Sequence, residues 1–349
     1  MPRGRFNSPL EGALTGVVEL MRRAPTIRDL RESDRLDGQT ALITGGSSGV
    51  GLAVAQAFAR RGAEVIIVGR SQLKEACARI ESGAPGVSVR SICADLSDLP
   101  SLVSMVRQLE TWDVRVDVLV DNAGIASPRF EESAQGFEAM FAVNVLAKAA
   151  LIEQLVARHR LRVVPGGEET RARVLYTSSD SHQGAQAVDT ASLGRSEGYG
   201  TTGSIHRYSY YKLVLNTWAT ELARRLDSPS ACASVHCICP GPVNTNIIRD
   251  APGVLRLLLR GIFRVVFMAP EQSTPPFVYF AAAPEAQGTT NKYLHMRRPK
   301  TMDEKCYLPE AGAAVWARID DLLEEWYARA SLVRPSPIAP RPPAIESDQ

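Results

Sequence analysis

The sequence contains no uninterrupted apolar run of the ~18 to 20 residues that a membrane-spanning helix requires. Near its start, Arg3 and Arg5 are not followed by an apolar core and a small-residue cleavage site, so no secretory signal is predicted. Both absences lead us to expect a cytoplasmic protein.

A net charge of one sign is nearly absent as well, because the formal charge is only +2 over 349 residues. Nothing global therefore points to nucleic acid or to an acidic partner. The six cysteines form no CxxC pair and no metal-ligand spacing, which favours free thiols in a reducing compartment. The five histidines form no HxH or HExxH pattern, so no metal site is predicted.

Hydrophobic residues make up 45% of the chain, enough for a sizeable core in one large α/β domain. Short β-branched runs alternate with helical patterns from Gly38 to about Gly241, which predicts βαβ units and a parallel sheet with right-handed crossovers. The predicted strands are Thr40 to Thr44, Glu64 to Gly69, Ser88 to Ala94, Val116 to Val120, Arg173 to Ser178 and Ser234 to Cys239. The expected fold is a doubly wound, Rossmann-type α/β domain over residues 37–330.

Two regions flank this expected domain, and a helical extension forms its C-terminal end. Residues 1–36 are rich in charge and proline and form an N-terminal arm that packs on the domain or stays mobile. A helical pattern from Ala311 to Ala330 predicts a C-terminal helical extension. Residues 331–349 are rich in proline with an acidic end, a composition typical of a disordered tail.

A glycine-rich turn follows the first predicted strand and opens a helix from Leu52 to Arg61. Glycines suit a tight turn that approaches a pyrophosphate closely, and the helix N-terminus supplies N–H donors and a favourable dipole. An ordinary loop is the competing interpretation for such a turn alone. The turn residues expected to contact a dinucleotide are Gly45, Ser47, Ser48, Gly49, Val50 and Gly51.

The second predicted strand ends at Arg70, where a protein that binds NAD usually has an acidic residue on the adenosine ribose. A guanidinium at this position suits a 2′-phosphate instead. NADP(H) is therefore the expected cofactor, in preference to NAD(H). The alternative is that Arg70 is a solvated surface residue.

Tyr208 and Lys212 lie four residues apart at the start of a helical pattern that runs to Leu226. This spacing places both side chains on one helix face. A phenol is a poor acid–base group at neutral pH, and a nearby cation lowers its pKa. The pair predicts a proton donor and acceptor, although the same spacing also occurs in amphipathic helices whose tyrosines belong to the core.

From about residue 37 to residue 330, the sequence resembles the short-chain dehydrogenase/reductase family, because further motifs follow in the family's order and approximate spacing. They are the turn Thr44 to Gly51, Asp95-Leu96, Asn122-Ala123-Gly124, Asn144, Ser179, Tyr208 with Lys212, and Pro240-Gly241 with Thr245. The resemblance implies cofactor contacts by Asp95, Leu96, Asn122, Ala123, Gly124, Tyr208, Lys212, Pro240, Gly241, Val243 and Thr245.

The resemblance also implies catalytic roles. Ser179 would donate a hydrogen bond to the substrate oxygen, and Tyr208 would exchange a proton with it as a hydride moves to or from the nicotinamide. Lys212 would hold the ribose hydroxyls, and Asn144 would anchor a water linked to Lys212. Ser179 is assigned rather than Ser178 because the family's serine aligns there. Carbonyl reduction is the expected direction, since cells usually keep NADPH reduced.

Two departures from the family pattern stand out. Asp121 precedes Asn122 where the commonest motif has a second asparagine, a change for which the sequence offers no physical reason. The segment between Ser179 and Tyr208 is about twice as long as in many members, and it resembles the retinol dehydrogenase-like branch, which acts on lipophilic alcohols and carbonyls. This insertion, residues 180–207, fits either a flexible rim of the pocket or a plain surface excursion.

The apolar segment from Gly253 to Met268 carries arginines at every fourth position, which places them on one helical stripe. It fits a lid over a lipophilic substrate site within residues 246–270, a helix in peripheral contact with an anionic membrane, or a packing helix. Homo-oligomers are common in the family, but no motif here fixes the assembly.

A non-catalytic NADP(H)-binding sensor or scaffold is the alternative function. The complete set Asn144, Ser179, Tyr208 and Lys212 argues against it, because a sensor needs no tuned phenol beside a hydrogen-bond donor. An extended-family epimerase or dehydratase is also disfavoured, since its glycine turn is spaced differently.

Overall fold

The computed structural model describes residues 25–162, 172–195, 198–228, 231–243 and 268–338. The strands are β1 (Thr40–Thr44), β2 (Glu64–Gly69), β3 (Val89–Cys93), β4 (Val118–Asp121), β5 (Ala172–Thr177), β6 (Asp227–Ser228), β7 (Ala231–Cys239), β8 (Lys292–His295) and β9 (Arg298–Pro299). The helices are α1 (Gly49–Ala59), α2 (Leu73–Gly83), α3 (Leu99–Thr111), α4 (Ala139–Ala157), α5 (Thr201–Leu226), α6 (Pro275–Ala282) and α7 (Pro309–Arg329).

The strands follow the order β3-β2-β1-β4-β5-β7-β8-β9, with β6 paired to β7. Pairing from β3 through β8 along this order is parallel, and β9 and β6 add antiparallel edges. The chain winds outward from β1 to β3 and then crosses back to β4, so the strand order reverses between β1 and β4. The predicted doubly wound fold is confirmed, and this reversal marks where such folds bind ligands.

Both faces of the sheet are covered, which explains why its central strands read as continuous apolar runs. On β1, Leu42 contributes to the core on one face and Ile43 to the core on the other, and both are fully buried. The same division separates Ile66 from Ile67 on β2. Burial on both sides leaves the carboxyl edge of the sheet as the place where polar groups can gather.

Helix α4 is long and apolar enough to cross a membrane, but 94% of its apolar window is buried inside the domain. It therefore serves as a core helix of this fold. Its second turn, Ala142–Leu146, is π-helical. Such π turns within α-helices are frequent at functional sites, and this one carries Asn144.

The described part of the N-terminal arm, residues 25–36, packs against the domain. Ile27 and Leu36 are buried, and the Arg28 guanidinium bridges the buried Asp34 carboxylate and Glu285 at 2.7 and 2.8 Å. Residues 1–24 lie outside the described part. The arm is therefore anchored from residue 25 onward.

The predicted disordered tail starts too early at residue 331. Arg334 is buried and pairs with Glu153 on α4 at 2.6 Å, and it also contacts Asp320 on α7. Ile338 is buried as well, and its carbonyl accepts a hydrogen bond from Arg225. Residues 331–338 therefore belong to the domain, because buried ion pairs hold this proline-rich stretch in place, and residues 339–349 lie outside the description.

Candidate active site

A cleft of about 780 Å³ opens at the carboxyl ends of the parallel strands, beside the reversal between β1 and β4. Most of the residues assigned from the sequence line it, from both sides of the reversal. They are Gly45, Ser47, Ser48, Gly49, Val50, Arg70, Asp95, Leu96, Asn122, Ala123, Gly124, Ser179, Tyr208, Lys212, Pro240, Gly241 and Val243. The structure thus brings the predicted cofactor and catalytic residues to one place.

The glycine turn between β1 and α1 is too tightly packed for side chains at two positions. Gly45 has φ +64°, and a Cβ there would lie 3.0 Å from the Asn122 amide nitrogen. A Cβ on Gly51 would lie 2.3 Å from the Gly45 carbonyl oxygen. Gly51 therefore packs the helix against the turn rather than lining the cleft. The resulting backbone cradle at the α1 N-terminus fits a dinucleotide pyrophosphate.

Hydrogen bonds between β1 and the end of β4 hold this cradle. The Thr44 hydroxyl accepts from the Ala123 amide at 2.9 Å and donates to the Asp121 carboxylate at 2.7 Å. The Asn122 side chain donates to the Thr44 carbonyl at 3.1 Å. Asn122 and Ala123 are thereby fixed beside the turn, where they line the cleft.

Asp121, which departs from the family pattern, has a buried partner. Lys148 on α4 is 1% exposed, and its ammonium donates to the Asp121 carboxylate and to the Asp121 carbonyl, both at 2.9 Å. A buried lysine needs an opposite charge, which an asparagine at position 121 would not supply. The lysine therefore gives the physical reason for the aspartate.

Arg70 lies at the end of β2 with its side chain 68% exposed, on the wall of the cleft. Its guanidinium is 3.6 Å from the Asp95 carboxylate, which also accepts hydrogen bonds from the Ser97 amide and hydroxyl. The charge of Arg70 is thus available on the cleft wall at the end of β2. Exposed ion pairs of this kind are weak, so a ligand can replace Asp95 as the partner of Arg70 at little cost.

Helix α5 begins at Thr201, so Tyr208 lies within the helix rather than at its start as expected. The predicted side-by-side arrangement is present: the Lys212 ammonium lies 5.5 Å from the centre of the Tyr208 ring. Lys212 is nearly fully buried and donates a hydrogen bond to the Thr177 carbonyl at the end of β5 at 2.8 Å. The helix therefore presents the phenol and the ammonium to the cleft together.

Burial dominates the titration of both groups. It raises the pKa of the Tyr208 phenol above its ordinary value, as does Cys239, whereas a hydrogen bond with Ser179 lowers it. Burial, followed by the positive charge of Lys148, lowers the pKa of Lys212 to about 7. A neighbouring cation was expected to lower the pKa of the phenol. In the protein without cofactor, the pKa is raised instead, because desolvation is the largest effect.

The two adjacent serines after β5 have different roles. Ser178 is buried, and its hydroxyl donates to the Asn216 side chain of α5 at 2.7 Å. Ser179 lines the cleft and is the residue whose side chain makes the hydrogen bond with Tyr208. The geometry therefore supports the choice of Ser179 over Ser178 as the group that faces a substrate.

Asn144 is fully buried behind the cleft, in the π-helical turn of α4. Its side chain accepts from the Ile125 amide at 3.0 Å and donates to the Ile125 carbonyl at 2.8 Å. A Cβ on Gly124 would lie 2.9 Å from the Asn144 side-chain oxygen. Asn144 thus fixes the strand end that carries the Asn122-Ala123-Gly124 motif.

The wall after β7 continues from Pro240 and Gly241 to Val243, which forms a parallel bridge with Met268. The Met268 amide donates to the Pro242 carbonyl at 2.9 Å. The chain therefore leaves the cleft wall at Val243 and returns beside it at Met268. Thr245 and residues 244–267, including nearly all of the predicted lid, lie outside the described residues.

The segment after Ser179 contains buried polar groups that sequence reasoning missed. Asp180 and His182 are buried in the turn Asp180–Gly184. Further along, Leu193 is buried and the Tyr199 hydroxyl donates to Glu138 at 2.6 Å. The described part of the insertion is therefore anchored on the domain at several positions, with exposed residues between them. The available signal was that His182 lies three residues after Ser179.

Comparison with known proteins agrees with this geometry. The short chain dehydrogenase family model matches residues 39–252, more than half of the chain. The chain belongs to this family. The polyprenol dehydrogenase of Mus musculus is 30% identical over 259 residues, which cover 74% of this chain and 75% of that protein. Retinol dehydrogenase 14 of Homo sapiens is 29% identical over 324 residues, 84% of this chain and 91% of that protein.

A solved structure shares the fold of this short-chain dehydrogenase. The dehydrogenase/reductase from Sinorhizobium meliloti 1021 aligns with a TM-score of 0.55 and 25% identity, covering 76% of this chain and 96% of that one. The predicted family and its retinol dehydrogenase-like branch are confirmed. The family's fold binds a nicotinamide cofactor, and the cleft described above has the shape and backbone cradle for it.

Proposed function

We propose that this short-chain dehydrogenase uses NADP(H) to interconvert a carbonyl and an alcohol on a lipophilic substrate, chiefly by reducing a ketone or aldehyde. The observation that carries the proposal is the placement of Ser179, Tyr208 and Lys212 on one wall of the cleft that also contains the glycine cradle. When bound, the nicotinamide supplies or accepts the hydride.

The roles of the protein's own groups follow from their contacts. The Ser179 hydroxyl donates to the substrate oxygen, which positions that oxygen next to the Tyr208 phenol. The phenol gives up its proton as negative charge develops on the oxygen. Lys212 holds the ribose hydroxyls and stabilises the resulting phenolate, and Asn144 anchors the water that returns a proton by way of Lys212.

The preference for NADP(H) rests on Arg70. Its exposed guanidinium stands at the end of β2, where an acidic residue would favour the unphosphorylated ribose. A planar guanidinium can bind a 2′-phosphate with two hydrogen bonds. We expect Arg70→Ala to raise the KM for NADPH about tenfold while changing the KM for NADH less, since such a charged hydrogen bond contributes ~1.5–3 kcal/mol.

The lipophilic substrate class is inferred from the relatives named for polyprenol and retinol. In this proposal residues 246–270 act as a lid, and residues 253–268 provide any peripheral membrane contact of an otherwise cytoplasmic protein. The two ends of the segment, Val243 and Met268, lie side by side next to the cleft. Assembly into homo-oligomers stays a prediction.

The test is oxidation of NADPH and NADH, followed at 340 nm, with purified full-length protein and a panel of lipophilic carbonyls that includes retinal and a polyprenal. Turnover with NADPH that is lost in Tyr208→Phe supports the proposal. Binding of NADPH without turnover of any carbonyl would instead favour the non-catalytic sensor, and equal use of NADH would contradict the cofactor preference.

A further inference from the structure

His182 lies three residues after Ser179 in the short turn that follows β5, and none of its side chain is exposed. One ring nitrogen, Nδ1, is 2.7 Å from the Ser179 carbonyl oxygen. The other, Nε2, is 3.2 Å from the backbone nitrogen of Asp303, in the segment between β9 and α7. The imidazole therefore bridges the peptide of Ser179 and the segment between β9 and α7.

The two partners determine the protonation state of the ring. A backbone N–H can only donate, so Nε2 of His182 accepts from the Asp303 amide. A backbone carbonyl can only accept, so Nδ1 carries the proton and donates to Ser179. Both bonds are satisfied only by the neutral ring protonated on Nδ1. Burial lowers the pKa of His182 below its ordinary value, which favours this neutral form.

Other contacts hold the same turn on its remaining sides. The Asp180 amide donates to the Cys239 thiol at 3.3 Å, which ties the Ser179–Asp180 peptide to the end of β7. The Asp180 carboxylate pairs with Lys300 at 2.7 Å and accepts from the Gln183 side chain at 2.7 Å. The backbone next to Ser179 is thus fixed by the contacts of this turn, one of them to Cys239, which also lines the cleft.

We infer that His182 is a positioning residue for the reaction. By linking the Ser179 carbonyl to the segment between β9 and α7, it sets the position of the Ser179 hydroxyl relative to Tyr208. This role rests on the proposed function of Ser179. It also gives the segment that contains Asp303 a part in catalysis, although that segment contributes no group to the cleft wall. A displacement of the serine by about 1 Å is enough to slow such a step ~100-fold.

Two substitutions separate the two hydrogen bonds of the ring. The amide nitrogen of an asparagine can occupy the place of Nδ1, so His182→Asn keeps a donor to the Ser179 carbonyl and loses the Asp303 contact. The amide oxygen of a glutamine reaches the place of Nε2, so His182→Gln keeps the acceptor for Asp303 and loses the side-chain bond to the Ser179 carbonyl. The bond from the backbone amide of residue 182 to that carbonyl remains in both variants. Each variant loses one buried hydrogen bond, so similar decreases in Tm are expected for both.

Positioning predicts different kinetics for the two variants. We expect kcat for the best carbonyl substrate to fall ~10- to 100-fold in His182→Gln and to stay within about threefold in His182→Asn. The affinity for NADPH, measured by fluorescence titration, should stay within about threefold in both. Equal kcat in the two variants, or a greater loss in His182→Asn, would contradict the inference and leave His182 with a purely structural role.

A readout without turnover separates this inference from the proposed function. If the wild-type protein reduces no carbonyl, the proposed function fails, and crystal structures of the two variants decide the role of His182. A Ser179 hydroxyl that moves away from Tyr208 in His182→Gln but not in His182→Asn supports the inference. A hydroxyl that is unmoved in both variants overturns it.

Discussion

The two halves of the domain position their ligands by different means. In the cofactor half, residues 40–111, Thr44 is the only buried polar or charged side chain, and the structure describes every residue of that range. In the catalytic half, the described residues from β4 onward, buried polar and charged side chains are frequent. They include Asp121, Lys148, Glu153, Asp180, His182, Asn216 and Lys305.

This contrast follows from what each half must hold. The cofactor half presents backbone N–H groups to a phosphate, so its interior needs glycines and close packing rather than buried side-chain charges. The catalytic half must aim the hydroxyl of Ser179 and the phenol of Tyr208, whose side chains would otherwise rotate. Buried hydrogen bonds remove that freedom, at the cost of desolvating polar groups.

The largest expected effect tests the catalytic half at its centre. Tyr208→Phe removes the proton donor without changing the ring, so we expect kcat to fall ~10²- to 10⁴-fold. The affinity for NADPH should change much less than kcat, because the glycine cradle and Arg70 are untouched. Tyr210→Phe is the matched control, since the Tyr210 hydroxyl bonds to the Asp189 backbone and to Ser192 and does not line the cleft. Comparable losses of kcat in both variants would refute the assignment of Tyr208.

The next effect tests whether buried charges hold the catalytic half. Asp121→Asn leaves the Lys148 ammonium buried without its counter-ion, and breaking such a pair costs ~3–5 kcal/mol of the free energy of unfolding. Urea denaturation measures this loss. In the double variant Asp121→Asn with Lys148→Met, the unpaired charge is gone, so much of the stability should return. Additive losses in the double variant would show that the pair is not coupled.

A smaller effect tests the backbone packing of the cofactor half. Gly51→Ala places a Cβ 2.3 Å from the Gly45 carbonyl oxygen, so α1 or the turn must shift. Overpacking of this kind costs ~1–3 kcal/mol, and the shift should weaken NADPH binding. The control is Gly198→Ala, because nothing lies within 4 Å of a Cβ at that position. Unchanged NADPH affinity in Gly51→Ala would argue against the cradle.

A further effect appears as a difference between two pH values. Burial lowers the pKa of Lys212 from 10.5 to about 7, so between these values the unfolded chain holds a proton that the folded chain has released. Stability from this group therefore rises with pH across that window, and below it the folded protein carries the cost of a buried charge.

Removing the charge should consequently stabilise the protein more in acid than in base. In protein without added cofactor, Lys212→Met should raise Tm relative to wild type more at about pH 6 than at about pH 10. Thermal unfolding of both proteins at the two pH values measures this. A Tm difference that is independent of pH would mean that Lys212 keeps its ordinary pKa in the fold.

How much the sequence predicts depends on how far apart the interacting residues lie. The glycine turn and the Tyr208/Lys212 pair have short, fixed spacings, and both lie at the cleft. Asp121 and Lys148 are 27 residues apart, and His182 and Asp303 are 121 apart, so no local pattern connects them. Their pairing exists only once the sheet brings their elements together.

The same reason explains the two misplaced boundaries. The glycines of the insertion suggested a flexible rim. Helix α5 nevertheless begins at Thr201, because the end of the insertion contacts the domain through Tyr199 and Glu138. The tail is ordered to residue 338 because Arg334 finds acidic partners on α4 and α7. In both cases tertiary contacts decided a segment whose composition favours disorder or turns.

In the proposed reaction, a hydride moves between a nicotinamide and a substrate carbonyl in this cleft. The most direct measurement uses NADPH that carries deuterium at the transferable position, together with the best carbonyl of the panel, and analyses the product by mass spectrometry. We expect the wild-type protein to form an alcohol with one deuterium on its carbinol carbon. We expect Tyr208→Phe not to form it. Alcohol formed without deuterium, or no alcohol from any carbonyl, would contradict the proposed reaction.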